Sequence, residues 1–160
     1  MMSKQEKERI ALELMREYGA IKRELNDYGI CRTEREPTGD YAEWLVASKL
    51  NLKQAENTVQ SGYDLIDEKK GTTYQVKTRR IFKDHSYKIS ISKYRTYPFD
   101  YLIIVIFNED FSVKKAYQYS YESIPLFFKS KGSNMELMIS LSNYREKLEN
   151  IDGMKLLDLL

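Results

Sequence analysis

Apolar residues recur every three or four positions near the start of the chain, at Ile10, Leu14, Tyr18, Ile21 and Leu25. This spacing predicts one long amphipathic helix over residues 4–28, which Gly29 ends and Gly19 can interrupt. A second helix is predicted from Thr38 or Asp40, either of which can supply its N-cap. Its apolar stripe comprises Tyr41, Ala42, Leu45, Val46 and Leu50.

The pattern then changes from helical spacing to strand composition. Residues 63–67 and 72–78 are rich in β-forming residues, and the charged stretch 68–71 between them ends in glycine, as hairpin loops commonly do. Further strands are predicted over residues 86–92, 101–107, 112–119 and 135–141. Towards the carboxy terminus, a short helix is predicted over residues 121–128 and a loop over residues 129–134. A terminal helix is predicted over residues 143–160, with an interruption near Gly153. This order predicts an α/β fold, a three-layer α/β/α sandwich around a central mixed sheet.

Length and composition predict a single domain. The chain has 160 residues, 42% of them hydrophobic, which is enough for one sizeable core. We expect one domain over residues 1–160, in which residues 1–30 form an amino-terminal helical extension packed on the rest. The longest apolar run, residues 101–107, is too short to cross a bilayer. A charged amino terminus without a signal-peptide pattern and a single cysteine, Cys31, predict a cytoplasmic protein with no membrane partner.

Three polar side chains converge if the hairpin has the register that its loop favours. Pairing Asp67 with Thr72 places Asp64 opposite Gln75. The two-residue period of a strand then puts Lys77 on the same face as Gln75. A carboxylate, an amide and an ammonium group therefore share one patch.

Glu43 adds a second carboxylate. It is the single acidic residue in the apolar run of the second helix. Because it lies near the start of that helix, it can face the sheet. Mg²⁺ takes a near-octahedral set of oxygens, usually one or two carboxylates with water and phosphate. Asp64, Glu43 and the main-chain carbonyl of Val76 can supply such oxygens.

These residues, in this order, resemble the active site of the PD-(D/E)xK superfamily of restriction-endonuclease-like nucleases. In that superfamily a helix glutamate, a strand aspartate and an (E/Q)xK tripeptide build the site. The stretches PTGDYAEW, GYD, YQVKTRR and FDYLIIVIF, at residues 37–44, 62–64, 74–80 and 99–107, are similar to a bacterial branch of the superfamily. The resemblance covers most of the middle of the chain and implies the restriction-endonuclease-like fold.

The resemblance also implies a function. It suggests a Mg²⁺- or Mn²⁺-dependent endonuclease that hydrolyses DNA phosphodiester bonds in restriction or repair, with RNA as an alternative substrate and a homodimer as an expected assembly. Asp64 and Glu43 would hold the metal ion together with the Val76 carbonyl, and Lys77 would position and help to deprotonate the attacking water. Gln75 would orient water or complete the metal shell. Many members have glutamate at that position, and an amide offers only a neutral oxygen, so a lower metal affinity is expected.

A basic stripe follows the third motif. From Lys69 to Arg95 the chain has nine Lys and Arg residues and a single acid, Asp84, with aromatic residues between them. Such a stripe beside a metal site can neutralise phosphates. The residues predicted to bind nucleic acid are Arg79, Arg80, Lys83, Lys88, Lys93 and Arg95. A locally basic, solvated face is the alternative interpretation.

The candidate site residues also have structural interpretations. Glu43 lies three positions after Asp40, which is the spacing of a capping box. Asp64 can be a turn residue and Lys77 part of a solvated face. The single histidine, His85, has no obvious partners for a metal or base role and is expected to be structural or exposed. Two other functional classes remain open: a non-catalytic nucleic-acid-binding module on the same fold, and an interaction protein that docks a partner through its terminal helices.

Overall fold

The structure is a computed structural model that describes residues 2–33, 35–56, 62–92 and 99–159. It has a mixed α/β fold. The described part contains four α-helices, α1 (Lys4–Asp27), α2 (Thr38–Leu50), α3 (Ile124–Phe127) and α4 (Tyr144–Glu149), and a 3-10 turn at Tyr121–Ser123. Its strands are β1 (Lys53–Gln54), β2 (Leu65–Asp67), β3 (Thr72–Arg80), β4 (Tyr87–Ser92), β5 (Tyr101–Phe107), β6 (Val113–Ser120), β7 (Lys129–Lys131), β8 (Asn134–Ile139) and β9 (Lys155–Leu156).

Six of these strands form a mixed sheet in the order β1-β2-β3-β5-β6-β9. Neighbouring strands are antiparallel except for β3 and β5, which run parallel. The predicted mixed sheet is therefore confirmed. Strand β5 is apolar along its length because both faces of the sheet are covered at this position.

The two faces are covered by different elements. Helix α2 packs on one face, where Ala42 and Val46 belong to the same buried cluster as Ile103 of β5. The other face is covered by a second, three-stranded sheet in the order β4-β8-β7, whose Ile89 joins a cluster with Ile104. Helices α3 and α4 add to that cluster at its margin. On this face of the six-stranded sheet, a second sheet therefore forms much of the layer that was predicted to be helical.

Two carboxy-terminal predictions are wrong. Residues 129–131, expected as a loop, form β7, which pairs with β8 across a turn at Gly132. The expected terminal helix is limited to α4. After Gly153, which has φ 77°, the chain becomes extended and β9 pairs with β6. Leu157 and Leu159 are buried and alternate with exposed residues. Burial therefore repeats every two residues here, as in an extended chain, and not at the spacing of a helix.

Helix α1 runs unbroken through Gly19. A capping box begins it, because the Ser3 hydroxyl accepts from the Glu6 N–H at 3.1 Å and the Glu6 carboxylate accepts from the Ser3 N–H at 2.7 Å. The structure describes every residue of α1, and none of them is buried. Among the described residues, no helix has the length and apolar character that crossing a membrane requires.

Candidate metal centre

The hairpin β2–β3 has the predicted register, with Asp67 opposite Thr72 and Leu65 opposite Tyr74. Gly71, with φ 70°, closes the loop in a conformation that favours glycine. Asp64 directly precedes β2, and its N–H donates to the Tyr74 carbonyl at 2.9 Å. The ladder therefore continues by one residue and places Asp64 beside Gln75.

The Asp64 carboxylate is held tightly against β3. Its Oδ2 atom accepts from the main-chain N–H of Val76 at 2.8 Å and from the side-chain amide of Gln75. Asp64 is 6% exposed and Gln75 is 3% exposed, so both groups are removed from water. The orientation of this carboxylate is thus fixed by the strand to which it binds.

Two carbonyl oxygens complete the arrangement around Asp64. The Oε1 atom of Gln75 is buried and has no hydrogen-bond partner among the described residues. The Val76 carbonyl points to the same edge of β3 as the Val76 N–H, because both groups of one strand residue face the same side. An unpaired buried carbonyl is costly, and it is also a ligand that a hard cation prefers.

Glu43 brings a second, partly buried carboxylate from α2. The pKa of Glu43 is raised to about 7, mainly because burial disfavours the charged form and also because the negative charge of Asp64 acts on it. Arg32 lowers the pKa through a hydrogen bond but does not cancel these effects. The two carboxylates therefore lie near enough for the charge of Asp64 to act on Glu43.

Arg32 is a site residue that the sequence did not reveal. Its Nη2 atom donates to Glu43 Oε2 and its Nη1 atom donates to the Ala55 carbonyl, each at 2.8 Å. The main-chain N–H groups of Arg32 and Thr33 donate in turn to the Asp40 carboxylate, at 2.8 and 2.7 Å. No periodic pattern marks this arginine, because it lies in the loop before α2 rather than on a helix or strand.

These contacts correct the expected start of α2. The helix has Pro37 at its N-cap, and no side chain caps it. Asp40 binds the preceding loop, and Thr38 donates its hydroxyl to Glu36 at 2.5 Å. Glu43 pairs with Arg32. The predicted N-cap and the capping-box interpretation of Glu43 are therefore both wrong.

Lys77 lies two residues beyond Gln75 on β3. Gln75 is level with Leu102 and Lys77 with Ile104, and these two apolar residues belong to one buried cluster on one face of the sheet. Lys77 is partly buried. The shared face of Gln75 and Lys77 follows from the strand period.

The residues present fit a hard divalent cation. Asp64 and Glu43 offer two carboxylates, while Gln75 and Val76 offer an amide oxygen and a main-chain carbonyl, which are the ligand types that Mg²⁺ and Mn²⁺ accept. The described part of the chain contains no group of three or more His, Cys, Asp or Glu side chains placed to hold a metal ion. A metal ion at this site would thus be held by two acids and two neutral oxygens.

Two residues of the basic stripe form contacts within the protein. The Arg79 guanidinium donates to the carbonyls of Lys88 and Thr78, each at 2.6 Å, and burial lowers the pKa of Arg79. Lys88 also forms an ion pair with Glu136 at 3.4 Å. Arg79 therefore ties β3 to β4.

Arg80 and Lys83 lie on aromatic rings. The Arg80 guanidinium is 4.4 Å from the ring centre of Phe111, and the Lys83 ammonium is 5.4 Å from that of Phe82. Lys93 and Arg95 lie outside the described residues. His85 is exposed and stacks on Tyr87, with ring centres 4.2 Å apart.

No model of a known protein family matches this chain, and no curated protein matches it either.

Proposed function

We propose that this protein is a Mg²⁺- or Mn²⁺-dependent endonuclease that hydrolyses DNA phosphodiester bonds. The observation that carries the proposal is the grouping of the buried Asp64, the partly buried Glu43 and the amide oxygen of Gln75, which has no hydrogen-bond partner among the described residues. The negative charge of Asp64 helps to raise the pKa of Glu43, and carboxylates brought together in this way are concentrated at functional sites. A divalent cation would compensate both charges and satisfy the amide oxygen.

Each site residue would have a separate role in hydrolysis. When bound, the metal ion supplies charge neutralisation at the scissile phosphate and makes water more acidic. Asp64 and Glu43 would hold it, and the hydrogen bonds from Val76 and Gln75 keep Asp64 oriented without rearrangement. Lys77, on the same face of β3, would position the attacking water and help to deprotonate it.

The substrate would extend from this site along the basic stripe. Arg80 and Lys83 are the described stripe residues whose cationic groups lie on aromatic side chains, and such surfaces can hold phosphates and bases together. DNA is the proposed substrate, and RNA is the alternative to be tested beside it. Binding of either should weaken steeply as salt is raised.

A cleavage assay with matched variants tests the proposal. Wild-type protein, Asp64→Asn, Lys77→Ala and the distant control Lys129→Ala are incubated with supercoiled, linear and single-stranded DNA and with RNA, in Mg²⁺, Mn²⁺ or EDTA. We expect metal-dependent cleavage by the wild type and the control and none by the two site variants. Calorimetric titration with Mn²⁺ gives an independent readout, in which Asp64→Asn loses binding. Full activity in either site variant would refute the assignment.

One observation favours a second candidate, a nucleic-acid-binding module without catalysis. The Arg32 guanidinium already pairs with Glu43 and compensates part of its charge, and Gln75 stands where an acid would strengthen metal binding. In that case the same experiment would show neither Mn²⁺ binding nor cleavage, and DNA binding measured over a salt series would weaken as the salt concentration rises.

A further inference from the structure

Helix α1 presents an apolar surface that the other described residues leave open. It has 24 residues, so it is about 36 Å long at the usual rise per residue. Helices in proteins gain most of their stability from packing an apolar face, yet no residue of α1 is buried. Its exposed apolar residues include Leu12, Leu14, Met15, Tyr18 and Ile21.

The apolar residues of α1 follow a heptad repeat. The series Ala11, Leu14, Tyr18, Ile21, Leu25 and Tyr28 advances by three, four, three, four and three residues. Tyr28 still has helical dihedral angles, so the series extends to the end of the helix. A mean spacing of 3.5 residues keeps one stripe facing a partner helix along a left-handed supercoil. We call this stripe the α1 seam.

We propose that α1 forms a parallel two-stranded coiled coil with α1 of a second copy of this chain, packed along the α1 seam. This inference goes beyond the nuclease proposal and does not depend on it. The occupant is identified by the residues that flank the seam, since these are the positions that select partner and orientation in coiled coils.

The flanking residues are self-complementary in the parallel arrangement. Glu17 precedes the seam residue Tyr18, and Lys22 follows the next seam residue, Ile21, so Glu17 of one copy faces the partner's Lys22. The same geometry pairs Ile10 with the partner's Met15, which widens the apolar contact. Each contact occurs twice by symmetry.

The antiparallel arrangement is disfavoured by charge. Aligning the seam residues of two antiparallel helices would bring Glu17 close to the partner's Glu24, twice in each dimer. Like charges at these positions destabilise the pairing. The flanking charges therefore select the parallel orientation.

Part of the α1 seam borders a cavity. Tyr18, Ile21 and Leu25 line a cavity of about 520 Å³ between α1 and the rest of the chain, whose opposite wall includes Tyr41 and Phe111. A second helix along the α1 seam would cover this largely apolar cavity. The carboxy-terminal half of the seam thus faces this cavity, whereas Ala11 and Leu14 are not among the residues that line it.

Two leucines on the same helix give a matched test. Leu14 lies on the α1 seam and is 58% exposed, whereas Leu12 lies off it and is 53% exposed. Sedimentation velocity of the wild type, Leu14→Glu and Leu12→Glu from low to several hundred micromolar measures the assembly. We expect the wild type and Leu12→Glu to form dimers and Leu14→Glu to remain monomeric, with unchanged circular dichroism and thermal unfolding of the body in all three. A monomeric wild type, a larger oligomer, or equal effects of the two substitutions would overturn the proposal.

Cross-linking tests the orientation. In a parallel coiled coil a seam residue meets its own counterpart, so Leu14→Cys should form an intermolecular disulfide when copper-phenanthroline accepts the two electrons and the two thiol protons pass to the buffer. Leu12→Cys is the control and should remain reduced at the same concentration. The native Cys31 is 4% exposed and does not compete. Failure of Leu14→Cys to cross-link in a sample that sediments as a dimer would refute the parallel seam.

Discussion

The Arg32 guanidinium lies 2.8 Å from the Glu43 carboxylate and so connects the loop before α2 to the candidate metal centre. The same guanidinium donates to the Ala55 carbonyl next to β1, which fixes the position of α2 relative to the edge of the sheet. Arg32 offsets part of the cost of burying Glu43 beside Asp64, although the raised pKa of Glu43 shows that the compensation is incomplete. In the absence of a metal ion, Arg32 acts as the internal cation of the site.

Removal of this internal cation should destabilise the metal-free protein. Arg32→Ala leaves Glu43 without its hydrogen-bonded partner, so we expect the free energy of unfolding in EDTA to fall by about 1–3 kcal/mol. Urea unfolding at pH 8 measures it. Because the variant has one positive charge fewer beside the two acids, added Mn²⁺ should stabilise Arg32→Ala more than it stabilises the wild type.

Arg35→Ala is the matched control for this experiment, since Arg35 lines the same polar cleft beside Glu43. Its substitution should leave both the stability in EDTA and the response to Mn²⁺ close to those of the wild type. Equal losses in the two variants would show that the Arg32–Glu43 contact contributes nothing specific.

The raised pKa of Glu43 predicts a particular pH dependence of stability. An acid with a pKa of about 7 in the folded state and an ordinary value of 4.5 binds its proton more tightly when folded. Folding stability should therefore decrease as the pH rises from about 4.5 through about 7, by up to about 3 kcal/mol. Glu43→Gln removes this titration, although it also weakens the contact with Arg32.

We therefore expect the free energy of unfolding of Glu43→Gln, relative to that of the wild type, to increase as the pH is raised from 5 to 8. Urea unfolding in EDTA at a series of pH values measures it, with Glu13→Gln on the exposed surface of α1 as the control. A difference that stays constant across the series would show that Glu43 ionises normally in the folded protein.

The sequence predicted the part of the site that depends on local geometry. The register of β2 and β3 follows from a four-residue loop and the period of two, and together they bring Asp64 to Gln75. Arg32 was missed because its position depends on the path of an irregular loop that Asp40 holds through main-chain hydrogen bonds. No spacing rule encodes such a contact.

The misassigned carboxy terminus illustrates a different limit. Residues 143–160 contain leucines at intervals that suit a helix, and local propensity favours that state. Pairing with the edge of β6 and burial of Leu157 and Leu159 favour the extended conformation instead. The contact that decides between them joins residues about 40 positions apart, and a local pattern does not report it.

Gln75 is the position where metal affinity and metal-free stability should change in opposite directions. Gln75→Glu exchanges the amide that donates to Asp64 for a third acid. We expect a lower melting temperature in EDTA because the buried acids repel one another, and tighter Mn²⁺ binding because a charged oxygen replaces a neutral one. Thermal unfolding with and without Mn²⁺ measures both effects. Gln118→Glu, on β6 of the same sheet, is the control, and an equal Mn²⁺ response in the two variants would contradict the assignment of Gln75.

Asp40 should influence the metal centre without contacting it. Its carboxylate accepts from the N–H groups of Arg32 and Thr33, so Asp40→Ala releases the loop that carries the Arg32 guanidinium. We expect a loss of about 1–3 kcal/mol in the free energy of unfolding, as for other hydrogen bonds to charged groups. A double-mutant cycle with Arg32→Ala separates the two roles of Asp40. If Asp40 acts through Arg32, Asp40→Ala alters Mn²⁺ affinity in the wild-type background and leaves it unchanged in Arg32→Ala, whereas an equal effect in both backgrounds would mean that Asp40 acts on the site by another route.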